Sequence, residues 1–130
     1  MSLEPRIVLM IIEHFKDIEA WKESRVLLRE IHSAFNKMKD FSYRGQIQRA
    51  ALSVMTNIAE GFDRGSNREF IQFLVIARGS TSEVRSLLYA GADVGYIDAT
   101  TFAQLHERCT RLANLINGFI RYLKNADRKN

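Results

Sequence analysis

The polar residues with the greatest potential for chemistry lie between Gln46 and Glu83, in segments otherwise apolar enough to form a protein core. Arg49, Asn57 and Glu60 recur along one flank of a predicted helix, and Glu83 interrupts an apolar stripe of the next. The two glutamates are of the residue type that serves as general acid and base. That chemistry needs a cleft and a raised carboxyl pKa, whereas the nearby arginines would favour the ionised form. We therefore predict no catalytic residues and no enzymatic activity.

A structural role accounts better for the same polar residues. A carboxylate among apolar neighbours is costly unless a cation or several hydrogen-bond donors meet it. We expect Arg49 to pair with Glu83, and Arg78 to pair with Glu60, as bridges that fix the register of helices or subunits. The residues of this predicted network are Arg49, Asn57, Glu60, Gly61, Arg64, Arg78, Gly79, Ser80 and Glu83.

Two other kinds of site are disfavoured by their spacing. Gly61 and Gly65 superficially suggest a phosphate-binding loop, but no strand precedes them and no Lys-Ser/Thr pair follows the second glycine. His106 and Cys109 are three residues apart on a predicted helix, but no second pair of residues has metal-ligand spacing. We predict neither a metal site nor a bound cofactor.

Apolar residues recur at spacings of three and four along four segments, which predicts four helices. The first runs from about Glu19 to Met38, and the second follows a polar connection and ends near Gly61 or Gly65. The single proline, Pro5, precedes all four segments, so no internal proline breaks a helix. Four helices with short connections favour an all-α, up-down-up-down antiparallel four-helix bundle.

Capping signals mark the later helix boundaries. Gly65 is a suitable left-handed stop for the second helix, and Ser66 with Glu69 forms a capping box for the third. Either Asp98 or Thr101 is expected to cap the fourth helix. The second and third helices must then form a tight hairpin.

The two ends of the chain are expected to differ from the bundle. We predict an apolar arm or extension over residues 1–14, the bundle over residues 15–125 and a frayed basic tail over residues 126–130. The run Ile7 to Ile12 is too short to span a bilayer and lacks a cleavage site after it, so we predict no membrane association. It is either an arm that docks on the bundle or on a neighbouring subunit, or an extension ahead of a start at Met10.

The third helix has more apolar surface than a bundle requires. Between Phe70 and Ala77 only Gln72 is polar, so the first half of this helix is apolar nearly all round. Such a helix is either central in a fold or covered by another chain, and a four-helix bundle has no central helix. We therefore predict a homo-oligomer with the third helix at the subunit interface.

The motifs between residues 46 and 83 closely resemble those of one family. This family comprises small four-helix-bundle proteins, S23-like, from intervening sequences of bacterial 23S ribosomal RNA genes, and is related to the accessory protein of diversity-generating retroelements. The resemblance is carried by QIQRA at 46–50, NIAEG at 57–61, Phe62, Arg64, EFIQFL at 69–74, ARGS at 77–80 and Glu83. It extends more weakly from Phe15 to about Leu123. It implies the bundle fold, no well-established catalytic activity, and a ring-shaped pentamer with a positively charged surface.

The charge of the chain indicates a function. Its formal net charge is +4, and a ring of subunits would multiply this bias into a continuous basic surface suited to nucleic acid. The leading hypothesis is a non-enzymatic oligomer that binds structured RNA or an RNA–DNA hybrid as an accessory factor. The alternative is a homo-oligomeric scaffold or adaptor that binds an acidic protein partner without nucleic acid. The candidate nucleic-acid contacts are Arg25, Arg29, Arg108, Arg111, Arg121 and Lys124.

A single cysteine, Cys109, fits a reducing compartment, with the cytoplasm as the default.

Overall fold

A computed structural model describes residues 14–129, and over this range the chain is all-α. A 3₁₀ helix, Phe15–Asp17, precedes four α-helices. These are α1 (Glu19–Phe35), α2 (Phe41–Asp63), α3 (Asn67–Asp93) and α4 (Ala99–Lys129). Consecutive helices pack together and α1 also packs against α4, which confirms the predicted antiparallel four-helix bundle. The Ile7 to Ile12 run lies outside the described residues.

The core forms where the apolar stripes of the four helices meet. Leu27, Ile31 and Phe35 of α1 are fully buried, whereas Leu28 is half-buried at the edge of the core. The other fully buried apolar side chains of the helices include Ile47, Ala51, Val54, Ile58, Leu74, Ala77, Val84, Leu88, Cys109, Leu112, Ile116 and Leu123.

Among the described helices, none is long and apolar enough to cross a membrane.

The predicted capping box between α2 and α3 is confirmed. Gly65 has a φ of +86°, a left-handed conformation that favours glycine, and so reverses the chain after α2. The Ser66 Oγ accepts a 3.2 Å hydrogen bond from the Glu69 backbone N–H at the start of α3. At the start of α4 the Asp98 carboxylate accepts a 2.7 Å hydrogen bond from the Thr101 N–H, so Asp98 rather than Thr101 is the cap.

Two helix ends differ from the prediction. The first helix ends at Phe35 instead of near Met38. The connection that follows ends at Asp40, which caps α2 by accepting a 3.1 Å hydrogen bond from the Tyr43 N–H. The last helix continues to Lys129 with Ala126 buried, so the predicted frayed tail over residues 126–130 begins inside α4.

The contact between α2 and α3 is close along its whole length. At one end Gly61 is packed so tightly that an added Cβ would lie 2.6 Å from the Phe73 Cβ. At the other end the Tyr43 hydroxyl donates a hydrogen bond to the Leu87 carbonyl and lies directly over Gly91, leaving no space for a Cβ there. Burial raises the pKa of Tyr43 to about 12, so its hydroxyl is protonated and remains a donor. Small residues at both ends therefore set the separation of the two helices.

Tyr43 also connects this pair to the turn between α3 and α4. Its ring packs edge-on against Tyr96 and Phe35, with ring centroids 5.0 and 5.5 Å apart. The Tyr96 hydroxyl donates a hydrogen bond to the Asp40 carboxylate, and this bond holds the pKa of Asp40 below its ordinary value. The connection before α2 and the turn before α4 are thus joined at one end of the bundle.

Gly91→Ala is expected to destabilise the chain by about 1–3 kcal/mol, because the new methyl group would overlap the Tyr43 hydroxyl and force the two helices apart. The matched control is Gly118→Ala in α4, where the nearest atom, the end of Arg121, is 3.9 Å away. This control should gain about 0.4–1 kcal/mol. Urea denaturation of both variants measures the difference, and equal free energies of unfolding would contradict the assignment of close packing at Gly91.

Candidate nucleic-acid interface

The predicted ion pair between Arg49 and Glu83 is absent, although both residues are described. Both side chains are exposed, and the guanidinium of Arg49 lies over Gly45, 3.3 Å from where a Cβ would stand. Arg49 lines a groove together with residues of α1, so it lies on the α1 side of α2. Within one chain the predicted pair does not form, because Glu83 faces solvent and its carboxylate needs no cation to remain charged. The same pair between two subunits stays a prediction.

The second predicted pair, Arg78 with Glu60, is also absent within one chain. Arg78 reaches α4 instead and donates a 3.0 Å hydrogen bond to the Asn117 side-chain oxygen. Glu60 pairs with Arg64 one turn along α2, at 2.8 Å, and both side chains are about half exposed. This i, i+4 pair lies within one helix, so it does not fix the register of two helices.

Neutral polar groups make the contact between α2 and α3 that was predicted for charges. The Ser53 and Ser80 hydroxyls lie 2.9 Å apart across the helix pair. The Asn57 amide donates to the Ser53 hydroxyl at 3.0 Å and to the Ser53 carbonyl at 2.8 Å. Among the motif residues, Asn57 and Ser80 contact Ser53 in a cluster of amide and hydroxyl groups between α2 and α3. Gly79, by contrast, is exposed on the outer surface.

Arg108 and Arg111, two of the six predicted nucleic-acid contacts, are occupied by ion pairs with α1. The Arg108 Nε donates to Glu30 at 2.8 Å, and its Nη1 donates to Glu23 at 3.3 Å. Arg111 donates to the other carboxylate oxygen of Glu23, also at 3.3 Å. The Glu23 side chain is only 17% exposed, so these are partly shielded pairs that hold α1 against α4. The prediction that Arg108 and Arg111 are available to phosphates is therefore not supported.

The other four predicted contacts, Arg25, Arg29, Arg121 and Lys124, are all exposed. Arg25 stacks over the Trp21 ring, with its guanidinium carbon 5.7 Å from the ring centroid. Within the described part of the chain, none of the four forms an ion pair with a carboxylate. These four cations, unlike Arg108 and Arg111, keep their charge available on the surface.

A groove between α1 and α2 brings Arg29 together with Arg49. It has a volume of about 620 Å³ and a floor formed by Leu28 and Leu52. Leu52 is 45% exposed, which is high for a leucine. The described residues that line the groove include no carboxylate: they are Leu28, Arg29, His32, Gly45, Gln48, Arg49 and Leu52. We refer to this feature as the α1–α2 groove.

Sequence reasoning did not place Arg49 in this groove, although a signal for it exists. No acidic residue occurs between Phe41 and Ala59, so α2 carries no carboxylate for most of its length. Two acidic residues of α1, Glu23 and Glu30, are turned toward α4. The edge of α1 that faces α2 is consequently basic.

Over the described residues, the structure does not bring the two candidate glutamates together, and it does not favour a metal at His106 and Cys109. Glu60 and Glu83 are exposed on different helices. Burial raises the pKa of the Cys109 thiol to about 12, which disfavours the thiolate that binds metals, and the His106 Nε2 lies 3.3 Å from the Tyr89 hydroxyl. Among residues 14–129, no group of three His, Cys, Asp or Glu side chains is placed to hold a metal ion.

Comparison with known proteins identifies a family and a similar solved structure. The family model for the 23S rRNA-intervening sequence protein matches residues 16–118. A crystal structure of a protein with unknown function from the S23 ribosomal protein family of Bacteroides thetaiotaomicron superposes with a TM-score of 0.73 and 24% identity, covering 78% of this chain and 97% of that chain. At this identity the structural match shows a shared fold. No curated protein sequence matches the chain.

Arg108→Ala should destabilise the chain by about 1–3 kcal/mol, because it leaves the partly buried Glu23 and Glu30 carboxylates without their shared cation. Arg121→Ala, which removes an exposed arginine from the same helix, should change stability by less than about 0.5 kcal/mol. Thermal or urea unfolding of the two variants makes the comparison. Similar losses for both would mean that the α1–α4 ion pairs contribute nothing specific.

Proposed function

Because the chain belongs to the 23S rRNA-intervening sequence protein family, we propose that it is a non-enzymatic, homo-oligomeric bundle that binds structured RNA or an RNA–DNA hybrid as an accessory factor. The observation that carries the proposal is the separation of charge across α1. Glu23 and Glu30 are held by α4, whereas Arg25 and Arg29 remain exposed. The cytoplasm is the proposed setting, since the buried Cys109 is a free thiol.

The exposed arginines suit a phosphate backbone better than a mixed-charge surface would. Neutralising phosphates releases counterions, which supplies affinity without reading sequence. The carboxylates that would repel phosphates from this edge of α1 are already paired with arginines on the opposite edge. Arg121 and Lys124 add exposed positive charge at the end of α4. The proposed contact surface is therefore led by charge and shape, with Arg25 and Arg29 at its centre.

Assembly is proposed from the outer surface of α3. Val75 and Ile76 are 41% and 51% exposed, and an added Cβ at the neighbouring Gly79 would meet no atom within 4 Å. A glycine inside a helix costs about 1 kcal/mol relative to alanine, and nothing within the described chain requires it there. Close approach of another subunit would account for both the small residue and the exposed apolar side chains. The family resemblance favours a pentamer.

An oligomeric scaffold or adaptor that binds an acidic protein partner is the second candidate function. It is favoured by Leu52, because an amphipathic acidic helix could place apolar side chains on Leu52 and carboxylates near Arg49. The two functions differ in their ligand but share the basic edge of α1. Nucleic-acid binding measurements therefore discriminate between them.

Ile76→Glu is expected to dissociate the oligomer, because it would place a carboxylate in an apolar interface without a partner. The matched control, Phe41→Glu, changes an exposed apolar residue outside α3, 67% exposed at the start of α2, and should leave assembly intact. Light scattering coupled to size-exclusion chromatography at micromolar concentration measures the mass of each variant. A monodisperse monomer for the unmodified chain would refute the proposed assembly.

Arg25→Ala combined with Arg29→Ala should weaken binding to a structured RNA and lower the slope of log affinity against log salt by about 1 for each phosphate that is no longer neutralised. Replacing Arg121 and Lys124 together should have the same kind of effect. The control, Lys37→Ala with Lys39→Ala, removes the same charge from the exposed connection between α1 and α2. Fluorescence anisotropy between about 50 and 200 mM salt measures all three.

The unmodified chain and the control should bind the RNA alike, with affinity that falls steeply as salt rises. Equal losses in all three double variants would assign the binding to net charge rather than to the α1 surface. No binding by the unmodified chain even at the lowest salt would refute the nucleic-acid proposal and favour the scaffold that binds an acidic protein.

A further inference from the structure

We infer that the α1–α2 groove binds a single unpaired nucleotide, with the phosphate between Arg29 and Arg49 and the base against Leu28 and Leu52. The inference rests on the proposed function, since a bound RNA would supply such a nucleotide from a bulge or loop. A free mononucleotide offers the same combination of phosphate and base. The site is therefore defined by ligand chemistry, and the two sources are separated by experiment.

The size of the groove matches one nucleotide. Its volume of about 620 Å³ lies within the range of about 300–1,000 Å³ that is usual for small-ligand sites. The floor is apolar because Leu28 is only half-buried and Leu52 is 45% exposed, so both present side-chain surface to an incoming ligand. A planar base covering these two leucines would remove exposed apolar surface from water. One compact patch suits one base better than a continuous base-paired helix.

The charges around the groove select an anion. Arg29 and Arg49 carry permanent positive charge, and a guanidinium binds phosphate oxygens through two parallel hydrogen bonds. His32 lines the same groove and offers its ring nitrogens as hydrogen-bonding groups. The nearest acidic residues of α1, Glu23 and Glu30, face α4, and α2 has no carboxylate before Glu60. A phosphate would therefore meet cations on both sides of the groove.

Two features make the groove more selective than a basic patch. Gln48 is in the lining, and its side-chain amide offers both donors and an acceptor, as recognition of a base edge requires. Gly45 allows the Arg49 guanidinium to lie along α2, because a Cβ at Gly45 would stand 3.3 Å from Arg49 Nη1. The absence of a side chain at Gly45 thus leaves space for the Arg49 guanidinium beside the groove. An acidic peptide helix would use the cations but would leave the Gln48 amide without a specific role.

The test compares two RNA hairpins that differ only by one unpaired nucleotide in the stem. The unmodified chain should bind the bulged hairpin about tenfold more tightly than the fully paired one, a difference of about 1.4 kcal/mol, because only the unpaired base can cover Leu28 and Leu52. Leu52→Ser combined with Gln48→Ala should abolish this ratio while keeping the salt dependence of binding to the paired hairpin. Val94→Ser, which truncates an exposed apolar side chain outside the groove, should retain the ratio.

A second measurement identifies the source of the nucleotide. Calorimetry with AMP alone should give weak binding to the unmodified chain and none to the groove variant. AMP binding that is lost in the groove variant, without any preference for the bulged hairpin, would support the site with a free nucleotide as its ligand.

Two results would overturn the inference and are distinguishable from each other. Equal, salt-dependent affinity of the unmodified chain for both hairpins, without AMP binding, would remove the nucleotide site but leave the proposed RNA-binding function standing. Failure to bind either hairpin, with no binding of AMP, would refute both. Light scattering of every variant confirms that its assembly is unchanged, so that a loss of binding is attributed to the groove.

Discussion

The close antiparallel contact of α2 with α3 is the constraint on which the rest of the bundle depends. Small residues occur where the two helices come nearest, and each accepts a larger or polar group from the partner helix. Because the contacts lie at both ends and in the middle, neither a shift along the axis nor a change in separation is tolerated. The contacts in question are Gly61 with Phe73, Ser53 with Ser80, and Tyr43 with Gly91.

The position of α1 follows from that pair and determines the character of the surface. Since α1 packs beside α2 and is held to α4 by Glu23 and Glu30, its acidic side faces α4. Its other side, with Arg29, faces an α2 surface that has no carboxylate, which creates the basic α1–α2 groove. The acidic and basic residues of α1 are nearly equal in number, but they lie on different edges: the acidic edge pairs with α4 and the basic edge faces α2. Neither edge is evident from net charge alone.

Periodicity and capping chemistry predicted the fold well because they are local. The spacing of apolar residues identified four helices, and Gly65, Ser66 and Glu69 marked a boundary that the structure reproduces. Pairing was predicted poorly because the spacing along one helix identifies its flank but not the residue opposite. Arg49 and Glu83 are each on the surface of their own helix, where water replaces the ion pair that a buried setting would have required. The pairing of Arg108 with Glu23 and Glu30 likewise depends on where α1 lies, which no local sequence signal reveals.

The motif residues that identify the family divide into two groups with different physical explanations. Gly61 and Ser80 are explained within the chain, because each contributes to the contact between α2 and α3. Gly79 is not, since the space around it is open while the exposed Ile76 lies nearby on α3. The second group, represented by Gly79, is on the outer surface, where the assembly that we propose would explain it. Assembly would also repeat the α1–α2 groove, so several weak nucleotide sites on one RNA would act together as a multivalent surface.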